Sequence, residues 1–273
     1  MKLENASFSI FDVETTGLYP YSGDRICEIG AVRMTDGKRT VKRFHALIDP
    51  ERPISPGASA VNGITDDMVR GKPTIEEVLP DFLLFMKGSI LVAYNAGFDL
   101  GFIESSLGGR KEILEEYRVI DALRLARRLF PGVPRYNLGS VARWLGISAE
   151  GEHRAMADAV MTWKVFTAEL KALRSLGVTT IDEAAQVSSR KRIPVKAVKD
   201  YKLQLIEAAI REQKKLNIIY HSSWNNQVTE RTITPKKIHR GYDRLYVVAQ
   251  CHLKNAERNF RLDCIIKAEN CLQ

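Results

Sequence analysis

Near its start the chain runs Ser7-Phe8-Ser9-Ile10-Phe11-Asp12-Val13-Glu14-Thr15-Thr16-Gly17, an alternation rich in β-favouring residues that predicts a strand entering a core. Residues 25–34 and 41–48 read as further strands around an Asp36-Gly37 turn. Residues 50–73 are dense in Pro and Gly and read as turns, with Thr65 placed to cap Asp66-Asp67-Met68. Thr74 and Glu77 form a capping box before a helix that Gly88 closes, and a strand follows over 89–94. Beyond it come a loop passing into a helix over 95–103, a strand at 117–121, and helices at 122–130 and 138–145. Residues 154–176 carry apolar positions at helical spacing, from Met156 through Ala159, Val160 and Trp163 to Leu173. A short helix over 179–187 and a basic segment over 188–199 lead to a helix at 203–213. Strands follow at 216–221, 228–239, 244–252 and 259–267, the spacing of a small β-sandwich or barrel.

The pattern therefore predicts an α/β fold, a mixed sheet of about five strands with flanking helices, plus a small mostly-β C-terminal barrel domain. The expected domains are 1–176 and 201–273, joined by a basic linker over 177–200. Composition adds one asymmetry. Residues 174–273 hold 19 Lys and Arg against 10 Asp and Glu, whereas residues 1–173 hold 22 against 23. A positive excess confined to one end suits a polyanionic partner, although a solvated basic surface gives the same count. No apolar run has the length of a membrane helix, and Met1-Lys2-Leu3-Glu4 lacks a signal-peptide layout. Cys27, Cys251, Cys264 and Cys271 show no zinc spacing, so they read as reduced thiols of a cytoplasmic protein.

The candidate chemistry begins in the first strand. Asp12 and Glu14 are two apart and project from one face, where their repulsion and lost hydration call for a cation. Carboxylate oxygens suit a hard dication, Mg²⁺ or Mn²⁺; two solvated acids at a strand edge are the plainer alternative. Asp99 falls near a helix start just past a strand end, and Asp158 follows His153 by five residues across the start of the long helix. Taken singly, Asp99 is equally a helix cap, Asp158 a solvated acid and His153 a surface residue. Taken together they offer the carboxylates and the imidazole that a two-metal hydrolysis uses. Two divalent ions neutralise the attacking and leaving oxygens there, and an imidazole can take a proton near neutral pH.

Three blocks, Phe11-Asp12-Val13-Glu14-Thr15-Thr16-Gly17, Asn95-Ala96-Gly97-Phe98-Asp99 and His153-Arg154-Ala155-Met156-Ala157-Asp158, resemble in order the DEDDh exonuclease family. That family includes the proofreading subunits of bacterial replicative polymerases. The resemblance implies a ribonuclease H-like fold and a 3′→5′ exonuclease acting on single-stranded ends, with DNA favoured over RNA and room for a polymerase partner. It implies that Asp12, Glu14, Asp99 and Asp158 hold two Mg²⁺ or Mn²⁺ ions, with His153 as the base. Thr15, Thr16 and Leu18 would line the pocket of the terminal nucleotide, and Asn95 and Phe98 would meet the next one. Asn62 and Tyr94 depart from the pattern at positions where relatives often carry His.

Residues from about 203 to 268 resemble a WYL domain through Ile218-Ile219-Tyr220, Arg231 to Pro235, Leu245-Tyr246-Val247-Val248-Ala249 and Arg258 to Asp263, without the tryptophan of the naming triad. The resemblance implies a pocket for single-stranded nucleic acid or a nucleotide. Arg231, Arg258 and Arg261 beside Tyr246 would form its phosphate-binding surface; the alternative places the aromatics in the core and leaves the arginines solvated. Two rival readings of the whole chain stand beside the exonuclease. One is a non-catalytic nucleic-acid-binding or ligand-sensing regulator on the same scaffold, and the other is an RNA-trimming enzyme.

Overall fold

The computed structural model describes residues 1–35, 38–108, 110, 112–130, 133–148, 153–189, 200–222, 227–241 and 244–271. The Asp36-Gly37 turn, residues 190–199 of the basic linker and the Asn225-Asn226 turn lie outside the described residues. The chain divides into two compact units, Met1–Ala126 with Gly132–Lys171, and Arg127–Pro131 with Ala172–Gln273.

In the first unit β1 (Phe8–Thr15), β2 (Ile26–Thr35) and β3 (Lys38–Leu47) pair antiparallel. Helices α1 (Pro56–Asn62), α2 (Asp66–Val69) and α3 (Ile75–Met86) carry the chain to β4 (Ile90–Ala93), which lies parallel to β1. Then come α4 (Gly97–Ser106), α5 (Glu112–Glu115), β5 (Val119–Asp121), α6 (Ala122–Leu129), α7 (Leu138–Trp144) and α8 (Ala155–Ser175), of which Arg127–Leu129 and Ala172–Ser175 are counted with the second unit. The sheet order is β3-β2-β1-β4-β5, so β1 is central and both of its edges are hydrogen-bonded.

Strand alternation sorts β1 into two faces. Phe11 and Val13 enter a core with Ile75, Leu79 and Phe82 of α3 and Phe102 and Ile103 of α4. The other face, Phe8, Ile10, Asp12 and Glu14, looks toward α8, where Phe8 meets Phe166 edge-on at 5.1 Å. Thr74 and Glu77 close the expected capping box at α3. Thr65 occupies the N-cap position of α2, but its side chain makes no capping bond. The turn-rich stretch holds a helix that the pattern missed: Ser55 caps α1 through the Ala58 N–H, and Pro56 takes the first position.

The second unit contains α9 (Ile181–Ser188) and α10 (Asp200–Arg211), then β6 (Leu216–His221), β7 (Val228–Gly241), β8 (Arg244–Cys251), β9 (Ala256–Arg261) and β10 (Ile265–Asn270). All strand pairs are antiparallel, in the order β10-β6-β7-β8-β9. The single strand expected over 259–267 is two strands broken by a 3₁₀ turn at Leu262–Cys264. Laid flat, a five-stranded sheet separates its outer strands by about 19 Å, yet the three residues joining β9 to β10 reach only about 13 Å. The sheet therefore curls. Tyr220 of β6 packs edge-on against Phe260 of β9 at 5.1 Å, and its hydroxyl accepts the Arg261 N–H at 3.4 Å. Ile206 and Ala209 of α10 fill the apolar interior with Leu216, Ile233, Val247 and Ala249.

Candidate active site

Asp12 and Glu14 leave β1 on the face covered by the start of α8, where Asp158 sits in the first turn. One carboxylate oxygen from each of Asp12, Glu14 and Asp158 lies within 4.8 Å of the other two. Asp99, in the first turn of α4, is 2% exposed, and its Oδ1 accepts the Val13 N–H at 3.0 Å, which locks it beside β1. These four acids border a cleft of about 520 Å³.

Burial and crowding decide their protonation. Burial above all, then the charges of Asp99, Asp158 and Glu14, holds the Asp12 carboxyl well above its ordinary range. Burial also lifts Asp99 to about 8 against the opposing Val13 N–H, and lifts Glu14 to about 7 with help from Asp158 and Glu28. An all-oxygen donor set this tight, with no sulfur or nitrogen ligand, fits a hard divalent cation.

His153 is exposed and lies at φ 66°, a left-handed backbone that a non-glycine residue rarely adopts. Its N–H donates to Asp158 Oδ2 at 3.1 Å, tying the turn to the acidic cluster. The next residue is clamped too: Arg154 gives Nε and a terminal nitrogen to the two Glu28 oxygens at 3.0 and 2.7 Å. Glu28 further accepts the Ala155 N–H at 3.0 Å and faces His45 Nε2 at 2.7 Å. Burial pushes this carboxyl up, but Arg154, His45 and the Ala155 amide outweigh it and hold Glu28 below its ordinary value. Sequence reasoning missed Glu28, although one acid in the apolar run Ile26-Cys27-Glu28-Ile29 was the available signal.

The strand and the helix meet at Gly30, which pairs with Asp12 in β2. A Cβ there would lie 2.2 Å from the Met156 nitrogen and 2.3 Å from the Ala155 carbonyl carbon, so only glycine lets α8 approach this closely.

The residues expected to meet a nucleotide are not all brought to the cleft. Thr15, Leu18, Asn95 and Phe98 line the cleft, but Thr16 does not. Thr16 is buried: its N–H donates to Arg25 O at 2.9 Å, while its hydroxyl donates to Asp24 and accepts the Arg25 N–H. It fastens the loop that carries Gly17 and Leu18. Phe98 serves both core and cleft, since it also packs on Phe102 at 5.1 Å. The opposite wall is α1, with Asn62 reaching back to Thr15 O at 3.4 Å. Tyr94 also lines the cleft and donates its hydroxyl to Tyr136 O at 2.8 Å.

The C-terminal candidates do not form one surface. Arg258 and Arg261 are three apart on β9 and so point to opposite faces. Pairing puts Arg258 opposite Ala249 and Arg231 opposite Ile218, on the face that holds the apolar interior. Arg261 pairs with Tyr246 on the other face, where the exposed His239 ring stacks on Tyr246 at 5.3 Å and 15°. Arg231 is turned inward, with Nε on Thr229 Oγ1 at 3.0 Å and a terminal nitrogen 3.7 Å from Cys251 Sγ.

Comparison with known proteins agrees with this geometry. Residues 9–166 match the exonuclease family model, RNase T type, and residues 201–270 match the WYL domain model. The chain is 36% identical over 213 residues to a PolC-type DNA polymerase III of Caldanaerobacter subterraneus, covering 78% of this chain but 15% of that protein. It is 42% identical over 166 residues to the DNA polymerase III subunit epsilon of Treponema pallidum, covering 60% of this chain and 76% of the subunit. Among solved structures, exonuclease X in complex with 5′-overhanging duplex DNA superposes with a TM-score of 0.51 at 31% identity, over 67% of this chain and 99% of that one. With the family model matched over residues 9–166, the chain belongs to the exonuclease family and carries a WYL domain behind the exonuclease domain.

Proposed function

We propose that the first domain is a metal-dependent 3′→5′ exonuclease that releases nucleotides from the end of a single strand, DNA in preference to RNA. The convergence of Asp12, Glu14 and Asp158 within 4.8 Å, at the floor of a cleft, carries this reading. Those three side chains and Asp99 are the residues that hold two magnesium or manganese ions. Such ions, when bound, supply charge neutralisation at both the attacking and the leaving oxygen. Thr15 and Leu18 seat the terminal nucleotide, and Phe98 offers a ring to the neighbouring base. His153 takes the proton of the water that attacks phosphorus; the bond to the penultimate 3′ oxygen breaks, leaving a nucleoside 5′-monophosphate and a strand shorter by one unit. Glu28 and Arg154 keep the His153 turn in register with Asp158. The choice of DNA rests on the DNA polymerase relatives and on the exonuclease X complex. The WYL domain retains the strand or a nucleotide on the face of His239 and Tyr246, where Arg261 is itself buried and so is not a direct contact.

The test is release of mononucleotides from a 3′-labelled single strand. Asp12→Asn and EDTA each remove activity by at least about a thousandfold, and His153→Ala by about a hundredfold or more. Activity of Asp12→Asn equal to the parent refutes the assignment.

A further inference from the structure

A second groove, of about 470 Å³, opens in the first unit between α8 and the edge strand β3. Arg43 and His45 stand on one wall, Lys164, Met156 and Met161 on the other, and Arg154 closes the end next to His153. Glu28, the acid at its floor, is 1% exposed and already bound by Arg154 and His45. Arg43 and Lys164 are exposed, and no carboxylate among the described residues pairs with either. Among the described residues the groove is therefore a positive channel whose one acid is already bound, and Arg43 and Lys164 face solvent with no described carboxylate paired to them.

We propose that this groove binds the phosphodiester backbone of the strand whose end occupies the acidic cleft; the inference rests on the exonuclease reading. Three features favour a polynucleotide. Arg43 on β3 and Lys164 on α8, the two exposed cations, stand on different walls, so successive phosphates of one chain lying along the groove can meet both. Met156, Val160 and Lys164 recur every fourth residue along α8, which gives a wall about 12 Å long with apolar side chains between charges, as sugars and bases require. The third is Arg154: it belongs both to the groove and to the clamp on the catalytic turn, so a strand lying in the groove passes directly beside His153 and Asp158.

The experiment compares the full chain carrying Asp12→Asn with the same chain also carrying Arg43→Ala and Lys164→Ala. Affinity for a labelled oligothymidylate is read by anisotropy across a salt series. Two lost phosphate contacts make the slope of log affinity against log salt shallower by about 1.4 and weaken binding at least about tenfold at moderate salt. An unchanged slope overturns the proposal. So does displacement of the oligonucleotide by a polyglutamate peptide at equal charge concentration with equal sensitivity to the two substitutions, because that result assigns the groove to an acidic protein segment. Hydrolysis of a small chromogenic thymidine phosphodiester by the unsubstituted chain tests the exonuclease reading separately. Failure there alone leaves the salt slope to judge the groove.

Discussion

Asp12, Glu14 and Asp99 lie where the chain alone cannot ionise them comfortably, and that has a thermodynamic consequence. Their folded values stand above the ordinary carboxylate range, Glu14 at about 7 and Asp99 at about 8, for reasons of burial and mutual repulsion. A group raised on folding binds more protons in the native state, so stability falls as pH rises from its unfolded value toward its folded one. Without divalent metal, thermal denaturation should therefore show a melting temperature that declines from about pH 4 to about pH 8. Glu28 is shifted the other way and adds a loss of stability only on the acid side, below its unfolded value near 4.5. Mg²⁺ or Mn²⁺ should flatten the decline by replacing the proton as counter-charge. Asp12→Asn should raise the metal-free melting temperature at pH 8 while abolishing strand degradation, the opposed effects expected where function holds like charges together. A metal-free melting temperature that climbs steadily between pH 5 and 8 would sink this account.

The elements bring those residues together, and two contacts set the position of α8. The first is steric. A Gly30→Ala methyl meets main-chain atoms of Ala155 and Met156 rather than a movable side chain, so α8 itself must shift. The expected cost is about 1–3 kcal/mol of stability, with at least about a hundredfold loss of turnover as Asp158 leaves the cluster. Gly57→Ala, with open space around it, is the control and should be neutral or slightly stabilising in denaturant titrations. The second contact is the Glu28 clamp. Glu28→Gln leaves Arg154 opposite a neutral amide and should lower kcat about tenfold with little change in KM. An unaltered kcat would show that the Glu28 clamp is merely structural. Much of this was legible beforehand, because it depends on local periodicity. The two-residue period places Asp12 and Glu14 together, and Thr74 with Glu77 marks the α3 start. What escaped was non-local or short. Helix α1 holds one N-cap and one Pro within a Pro- and Gly-rich stretch, and its use as a cleft wall depends on long-range packing. Thr16 sits beside Thr15 in the motif, yet alternation sends it to Asp24 rather than into the cleft. The same period, applied to Arg258 and Arg261, separates residues that shared chemistry had grouped.

At the scale of the whole molecule, an exonuclease domain and a WYL domain on one chain should bind a single strand more tightly than either does alone. The second site adds to binding only when the strand is long enough to occupy both. The two sites differ in physical character, and this makes them separable. Loss of charged contacts in the first unit changes the dependence on salt, because phosphate contacts release counterions. The C-terminal face is built differently: His239 and Tyr246 lie parallel at 5.3 Å with an exposed outer ring, a surface on which a base can stack. Stacking is worth about 1–3 kcal/mol per base and releases few ions. His239→Ala with Tyr246→Ala, in the full chain carrying Asp12→Asn, should therefore weaken binding of a long oligonucleotide about tenfold and of a trinucleotide little. The slope against salt should stay as it is. Arg258→Ala, on the opposite face, should have the smaller effect on affinity. If Arg258→Ala costs more than the aromatic pair, the strand lies against the other face of the sheet. If neither change affects the long oligonucleotide, the C-terminal domain takes a ligand other than the strand being degraded.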